Sequence, residues 1–395
     1  MSQSIQCPGF QAAGIAAGIK KNQTLDLGLI YSRQPAVAAG VFTRNLVQAA
    51  PVRLTREHIA KGRIQAIIVN SGNANCCTGD QGDADALLMA RAAAAELGLT
   101  PEQVLVSSTG VIGKPLPVDS IEKAAPDLAG ALEPDGFDAF ARAIMTTDTV
   151  PKLIQRNGEI DGRSFTLVAA AKGAGMIRPD MATMLCFVCT DADVEQKLLQ
   201  QSLKKAVDGS LNCITIDGDT STNDMVLVMA NARSGAKVAT AREQKIFQQV
   251  LDDLLMDVAR RLVQDGEGVT KVVEIKVEGA GTNDQAYRVA DTVAHSPLVK
   301  TAFFGEDANW GRIIAAAGRA GVPLEPDRID LYFDDVQMVK GGLGCGPDAE
   351  ALATAVLKKP AFTVVVDLNK GSGKARMLTS DFSVDYVKIN ADYRT

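Results

Sequence analysis

At 395 residues the chain is too long for one ordinary hydrophobic core and calls for two or three domains or one large layered unit. With 46% hydrophobic and 22% charged residues and a formal net charge of -6, it reads as ordered and mildly acidic, without general attraction to nucleic acid or anionic membrane; small molecules and copies of itself are the expected partners. Seven cysteines, few and odd in number, argue against a disulfide framework, and the absence of a secretory-signal pattern or a bilayer-length apolar run points to the cytoplasm.

Strand-like and helical runs alternate. "IQAIIVN" at 64–70 predicts a buried strand, and the alanine-rich stretch 83–98 a helix stopped by Gly98. "TPEQ" at 100–103 has the pattern of a capping box with proline in the first turn, but "VLVSS" after it is strand-like, so one short helical turn is expected. Residues 135–145 place Phe137, Phe140, Ala141 and Ile144 on one helical face and run into "TTDT". Strands at 164–171 and 183–190 flank a glycine-rich loop, 172–182, which puts Thr183 at a loop-to-strand seam. Beyond it come a helix at 194–207, a strand at 213–216, a long helix at 242–264, and strands at 271–279, 328–335 and 362–369. No fixed-period repeat or low-complexity linker occurs, and the mixture predicts an α/β layered sandwich of stacked mixed sheets covered by helices.

Catalytic chemistry is narrowed by what is scarce. Only two histidines exist: His58 reads as a helix-surface residue and His295 as a turn or cap residue. No phosphate-loop, dinucleotide or zinc-peptidase motif occurs, so no cofactor and no metal are expected. "CFVC" at 186–189 lies in an apolar run and reads as core thiols, while "DGDTST" at 217–222 departs from a calcium loop and suggests a polar turn network.

A threonine at a new N-terminus needs no histidine, because its own α-amino group, with reference pKa about 7.7 to 8.0, is a base near neutral pH. Thr183 fits that role if the bond from Ala182 is cut, though threonine also suits the first position of any strand. Thr109 and Gly110 in "SSTGVIGKPLP" offer a hydroxyl and a backbone N–H for an oxyanion, or simply a turn. Lys172 is a candidate carboxylate clamp, with plain surface charge as the alternative, and Glu267, between two glycines, a candidate amine clamp or an ordinary helix-ending loop residue.

Taken together, "GVFTRN", "VNSGNAN", "SSTGVIG", "TTDT", "KGAGMIRPDMATML", "DGDTSTND", "DGEGVTK", "SPLVKTAFFGEDANWGRI" and "YVKINADYRT" resemble the ornithine acetyltransferase, or ArgJ, family across nearly the whole chain. The resemblance implies a self-cleaved enzyme with an N-terminal threonine nucleophile, made of an alpha chain, 1–182, and a beta chain, 183–395, that stay associated, usually as a dimer of such pairs. It implies ping-pong transfer of acetyl from N2-acetylornithine to glutamate in arginine biosynthesis, and leaves acetyl-CoA as a second donor open. On matching positions it makes Thr183 the nucleophile, Thr109 and Gly110 the oxyanion hole, and Lys172, Glu267, Asn390 and Thr395 substrate contacts, together with one threonine of "TTDT", for which Thr147 is preferred over Thr146. Ala308 stands where the family pattern suggests proline, away from this chemistry. The competing readings are an amidohydrolase or aminopeptidase with the same nucleophile logic, and a non-catalytic small-molecule binding protein.

Overall fold

The computed structural model describes residues 4–21, 23–178 and 184–392. The chain divides into two compact units, one running to Asn212 and resuming over Asp219–Leu262, the other made of Cys213–Gly218 and the chain from Val263 onward. Each is a mixed sheet clad by helices.

The N-terminal unit contains β1 (Phe10–Ile15), β2 (Leu27–Phe42), α1 (Ala50–Lys61), β3 (Ile64–Asn73), α2 (Gly79–Leu97), β4 (Val104–Val111), α3 (Val118–Gly130), α4 (Phe137–Ala143), β5 (Lys152–Ile160), β6 (Arg163–Lys172), β7 (Leu185–Thr190), β8 (Asp193–Val194), α5 (Gln196–Gly209), β9 (Met225–Ala230), β10 (Lys237–Val238) and most of α6 (Ala241–Gln264). Its main sheet runs β4-β3-β2-β9-β7-β6-β5, with β1 beside β2. The first half of β2 pairs with β3, and its second half, Val37 to Phe42, with β9. The polar interruption Arg33-Gln34-Pro35 is exposed and coincides with a register shift, so one long strand serves two neighbours. Helices pack both faces: Leu27, Leu29, Ile68 and Val106 join α2 and α3, while Phe140 of α4 meets Phe187 of β7 edge-on, ring centroids 5.5 Å apart.

The capping box at Thr100 forms, closing a single 3-10 turn, and Gly98 ends α2 with φ 65, a left-handed conformation that glycine adopts without cost. Two expectations need correction. His58 is buried rather than on a helix surface, with Nδ1 2.8 Å from the Val104 carbonyl oxygen, because α1 lies against β4. Residues 213–216 do not form a strand: a 3-10 turn over Leu211–Cys213 leads to one isolated bridge from Ile214 to Leu378, since so short an apolar run finds a single partner. Cys186 and Cys189 are fully buried core thiols, and burial pushes the Cys186 thiol up to about 12.

The C-terminal unit contains β11 (Val272–Ala280), α7 (Asn283–Ala294), α8 (Pro297–Phe304), α9 (Trp310–Gly318), β12 (Asp330–Phe333), β13 (Val336–Lys340), β14 (Leu343–Gly344), α10 (Pro347–Leu357), β15 (Ala361–Asp367), β16 (Gly373–Ser380) and α11 (Val384–Asp392). Its sheet runs β14-β13-β12-β15-β11-β16, with only β11 and β15 parallel. The valines and Ile275 of β11 alternate with charged residues, and Val273, Ile275 and Val277 are buried in one core with α7 to α10. His295 caps α7, as its position before "SPL" suggests. Among the described residues, no helix is long and apolar enough to cross a membrane, and no cluster of three or more His, Cys, Asp or Glu stands ready for a metal.

Candidate active site

The end of β4 carries Thr109 and Gly110, both hemmed in by β3. Gly110 has φ 132, and a Cβ there would stand 2.4 Å from the carbonyl carbon of Gly72 and 2.5 Å from the nitrogen of Asn73. The two backbones approach so closely because β3 shifts register at Gly72/Asn73, and only glycine permits both the φ and the contact. The Thr109–Gly110 end of β4 is therefore rigidly placed by backbone, a requirement for hydrogen-bond donors that meet a developing charge.

Lys172, the last residue of β6, is buried and points its ammonium at this strand end, donating to Thr109 Oγ1 at 3.3 Å and to Thr146 Oγ1 at 2.7 Å. Accepting from Lys172 leaves the Thr109 hydroxyl proton for another acceptor, so the lysine orients the group that would face an oxyanion. Of the two adjacent threonines of "TTDT", Thr146 is the one whose hydroxyl accepts from Lys172.

Asp148, in the same motif, ties the site together. Its Oδ1 accepts from Lys152 Nζ at 2.6 Å and from the Gly173 N–H at 2.7 Å, and its Oδ2 accepts from the Thr146 N–H at 3.0 Å. Burial pushes this carboxyl up, but Lys172, Lys152 and the Gly173 N–H outweigh it and hold the pKa at about 2. A second lysine, Lys20, donates to the Met145 and Leu25 carbonyl oxygens at 2.7 and 3.0 Å. Burial lowers its pKa to about 8, and the charge of Lys172 adds to the lowering against Asp26 and Asp148. The aliphatic stem of Lys20 also lies over Gly72, where a Cβ would come within 2.9 Å of its Cγ.

The register of β6 and β7 pairs Lys172 with Leu185, two residues beyond Thr183. Met184 is held on both sides, its N–H by Asp224 Oδ1 at 3.0 Å and its carbonyl by the Met225 N–H at 3.2 Å. Ala182 and Thr183, and Thr395 at the other end, lie outside the described residues.

In the C-terminal unit the structure brings Glu267 and Asn390 together across 123 residues of sequence. Glu267 is buried, and its Oε2 accepts from Asn390 Nδ2 at 2.8 Å, which leaves Oε1 for a further donor. The adjoining Gly268, φ 65, lets the loop press against α11, where a Cβ would meet the Tyr386 nitrogen at 2.4 Å. The residues that sequence reasoning misses are Lys20, Asp148, Lys152, Asn223 and Asp224. "TTDT" and "DGDTSTND" signal three of them, but the fold alone shows which polar atoms face the site.

A buried lysine bonded to two threonine hydroxyls beside a backbone-constrained glycine is a set of donors suited to an enzyme that acts on polar, anionic substrates. The ArgJ family model matches residues 11–395. The arginine biosynthesis bifunctional protein ArgJ of Syntrophotalea carbinolica is 52% identical over 393 residues, covering 99% of this chain and 100% of that protein. Its counterpart from Geobacter sulfurreducens is 51% identical over 389 residues, covering 98% of this chain and 99% of that protein. A crystal structure of the ArgJ protein of Bacillus halodurans is similar with a TM-score of 0.51 and 39% identity, covering 53% of this chain and 100% of that one. The chain belongs to the ArgJ family and is an acetyltransferase of arginine biosynthesis.

Proposed function

We propose that the chain cleaves itself between Ala182 and Thr183, and that Thr183 then carries acetyl from N2-acetylornithine to glutamate by a ping-pong route. The observation that supports this reading is the register of β6 and β7: Lys172, which donates to Thr109 and Thr146, pairs with Leu185, two residues after Thr183 in sequence. In the first step the Thr183 hydroxyl attacks the Ala182 carbonyl and the peptide C–N bond breaks as the acyl group moves to oxygen, which frees the Thr183 α-amino group; water then hydrolyses the ester to release the Ala182 carboxylate and restore the threonine hydroxyl. That amine takes the hydroxyl proton as Thr183 attacks the acetyl carbon, and the resulting oxyanion meets the Thr109 hydroxyl and Gly110 N–H. Collapse expels ornithine, whose nitrogen receives the proton. The amine of glutamate attacks the acetyl-threonine ester, and N-acetylglutamate leaves with the threonine hydroxyl restored.

Roles for the remaining groups follow from charge. Lys172, with the Thr146 hydroxyl beside it, suits the substrate carboxylate, while Glu267, steadied by Asn390, suits the distal ammonium of ornithine. Thr147 and Thr395 keep the substrate-binding roles that the family resemblance implies. The 1–182 and 183–395 chains stay associated because β7 and β9 lie between β2 and β6 in one sheet; a dimer of such pairs completes the assembly. Intact-mass analysis of purified wild type and Thr183→Ala, followed by acetylornithine assays with and without glutamate, tests the whole reading. Wild type is expected as two fragments with glutamate-dependent ornithine release, and Thr183→Ala as an uncut, inactive chain. Fragments from the alanine variant would overturn the nucleophile assignment, and equal ornithine release without glutamate would make the enzyme a hydrolase.

A further inference from the structure

The segment 217–224, "DGDTSTND", is not used by the chemistry above, yet its last two residues are buried and hydrogen-bond to Ser108 of β4 and to Met184. Asn223 spends both amide protons on carbonyls beside the β3 register shift, donating to Ala74 O at 2.7 Å and to Ser108 O at 2.8 Å. Ser108 immediately precedes Thr109. Asp224, next in sequence, accepts the N–H of Met184, the residue that follows Thr183. The segment that bears them is itself pinned: the Thr43 N–H donates to Asp224 O, the Ala49 N–H to Thr222 O, and the Thr43 hydroxyl to Ser221 O. Thr222 Oγ1 donates to Asn223 Oδ1 at 2.6 Å, which settles which end of that amide carries the protons.

We propose that Asn223 and Asp224 form a brace, a pair of positioning residues that sets the oxyanion end of β4 and the start of β7 at a fixed separation for both self-cleavage and transfer. The inference rests on the reading of Thr183 as nucleophile. Two consecutive residues reach in opposite directions, one to the strand that carries the oxyanion donors and one to the backbone adjoining the nucleophile. Displacing either side by about 1 Å is enough to cost on the order of 10²-fold in rate. Asp224 Oδ2 is buried with no hydrogen-bond partner among the described residues. Burial raises this carboxyl well above the ordinary carboxylate range, against the Met184 N–H and Lys172. Asparagine keeps the side-chain shape and an oxygen in the place of Oδ1, which makes it the conservative replacement.

The test follows cleavage by intact mass over time, then measures kcat and KM per free N-terminal threonine, in Asp224→Ala, Asp224→Asn, Asn223→Ala, Thr109→Ala and the Asn223→Ala/Thr109→Ala double variant. Asp224→Ala should slow cleavage about 10- to 100-fold, while Asp224→Asn restores it to near the wild-type rate through its amide oxygen. Asn223→Ala should lower kcat about 10- to 100-fold with KM unchanged, and the double variant should lose less than the product of the two single losses, because Asn223 acts through the strand end that carries Thr109. If the alanine variants fail to accumulate, Asn223→Asp, which sets a carboxylate against two carbonyls, should lose cleavage where Asp224→Asn keeps it. Wild-type cleavage in Asp224→Ala, multiplicative losses in the double variant, or equal behaviour of Asn223→Asp and Asp224→Asn would overturn the brace. Thr183→Ala run alongside separates the two claims: fragments from it defeat the nucleophile reading, whereas its failure to cleave beside normal cleavage of Asp224→Ala defeats the brace alone.

Discussion

Replacing Asp148 by asparagine should remove more stability than any loop aspartate ordinarily supplies. Asp148 and Lys152 form a 2.6 Å ion pair with both side chains fully buried, and Asp148 also meets the field of Lys172. The carboxyl sits at about 2 against an ordinary 3.8, a difference of about 2.5 kcal/mol in favour of the ionised form. Because the folded-state pKa is the lower one, this stabilisation is complete above the unfolded pKa near 4 and is lost as pH falls through about 2. Asparagine keeps the shape and one acceptor but withdraws the negative charge from two buried ammonium groups, so the full cost at neutral pH should be about 3 to 5 kcal/mol. Urea unfolding followed by far-UV circular dichroism is the suitable assay, since the single tryptophan, Trp310, lies in the other unit. The gap between wild type and Asp148→Asn should be about 3 to 5 kcal/mol at pH 7 and should narrow by about 2 kcal/mol between pH 5 and pH 2, where the folded-state carboxyl is half-protonated. A gap below about 1 kcal/mol, or one that does not change with pH, would refute the claim that a depressed carboxylate holds these loops.

Three further outcomes follow from the site. Thr109→Ala should mature but lose about 10²- to 10³-fold in kcat; near-native kcat in the cleaved form would make Thr109 a strand residue only. Gly110→Ala should abolish cleavage or soluble expression, since its Cβ would strike the Gly72 and Asn73 backbone, and a soluble, processed variant would contradict that close approach. Glu267→Gln should cleave normally but raise KM for acetylornithine by about 10²-fold, the equivalent of about 3 kcal/mol for a buried charge pair; unchanged kinetics would reject the clamp.

Local signals carried well from sequence to structure where a single element decides its own form. The capping box at Thr100, the glycine stop at Gly98 and the long helix over Ala241–Gln264 all follow from short-range chemistry. β2 was harder to read because Ser32-Arg33-Gln34-Pro35 looks like a turn, whereas the strand passes through it by shifting register between two partners. The chemistry divides in the same way. Lys172 and Glu267 were legible as isolated charges among glycines, and the family resemblance added Asn390 to them. Lys152 was not, because its meaning comes from a buried aspartate and from burial itself, neither of which a residue type announces. That the Thr146 hydroxyl meets Lys172 was hidden for a related reason: it depends on a loop conformation in which Asp148 holds the Thr146 N–H.

The sheet order bears on how the proposed self-cleavage would leave the enzyme intact. β7 and β9 come after the junction in sequence but sit between β2 and β6, which come before it. Each is paired on both edges, β7 with β6 and β9, and β9 with β2. Severing the connection between β6 and β7 therefore breaks one covalent link and none of these ladders. The 172–185 pairing that sets Lys172 beside the start of β7 exists only once the strands have come together, so the groups that act on the junction are assembled by folding before any cut. On the proposed reading, the same ladders would still join β7 to β6 and β9 after a cut. If the chain is cut as proposed, pulling the two pieces apart would expose the central strands of the sheet, so their association would need no surface beyond the core of the N-terminal unit.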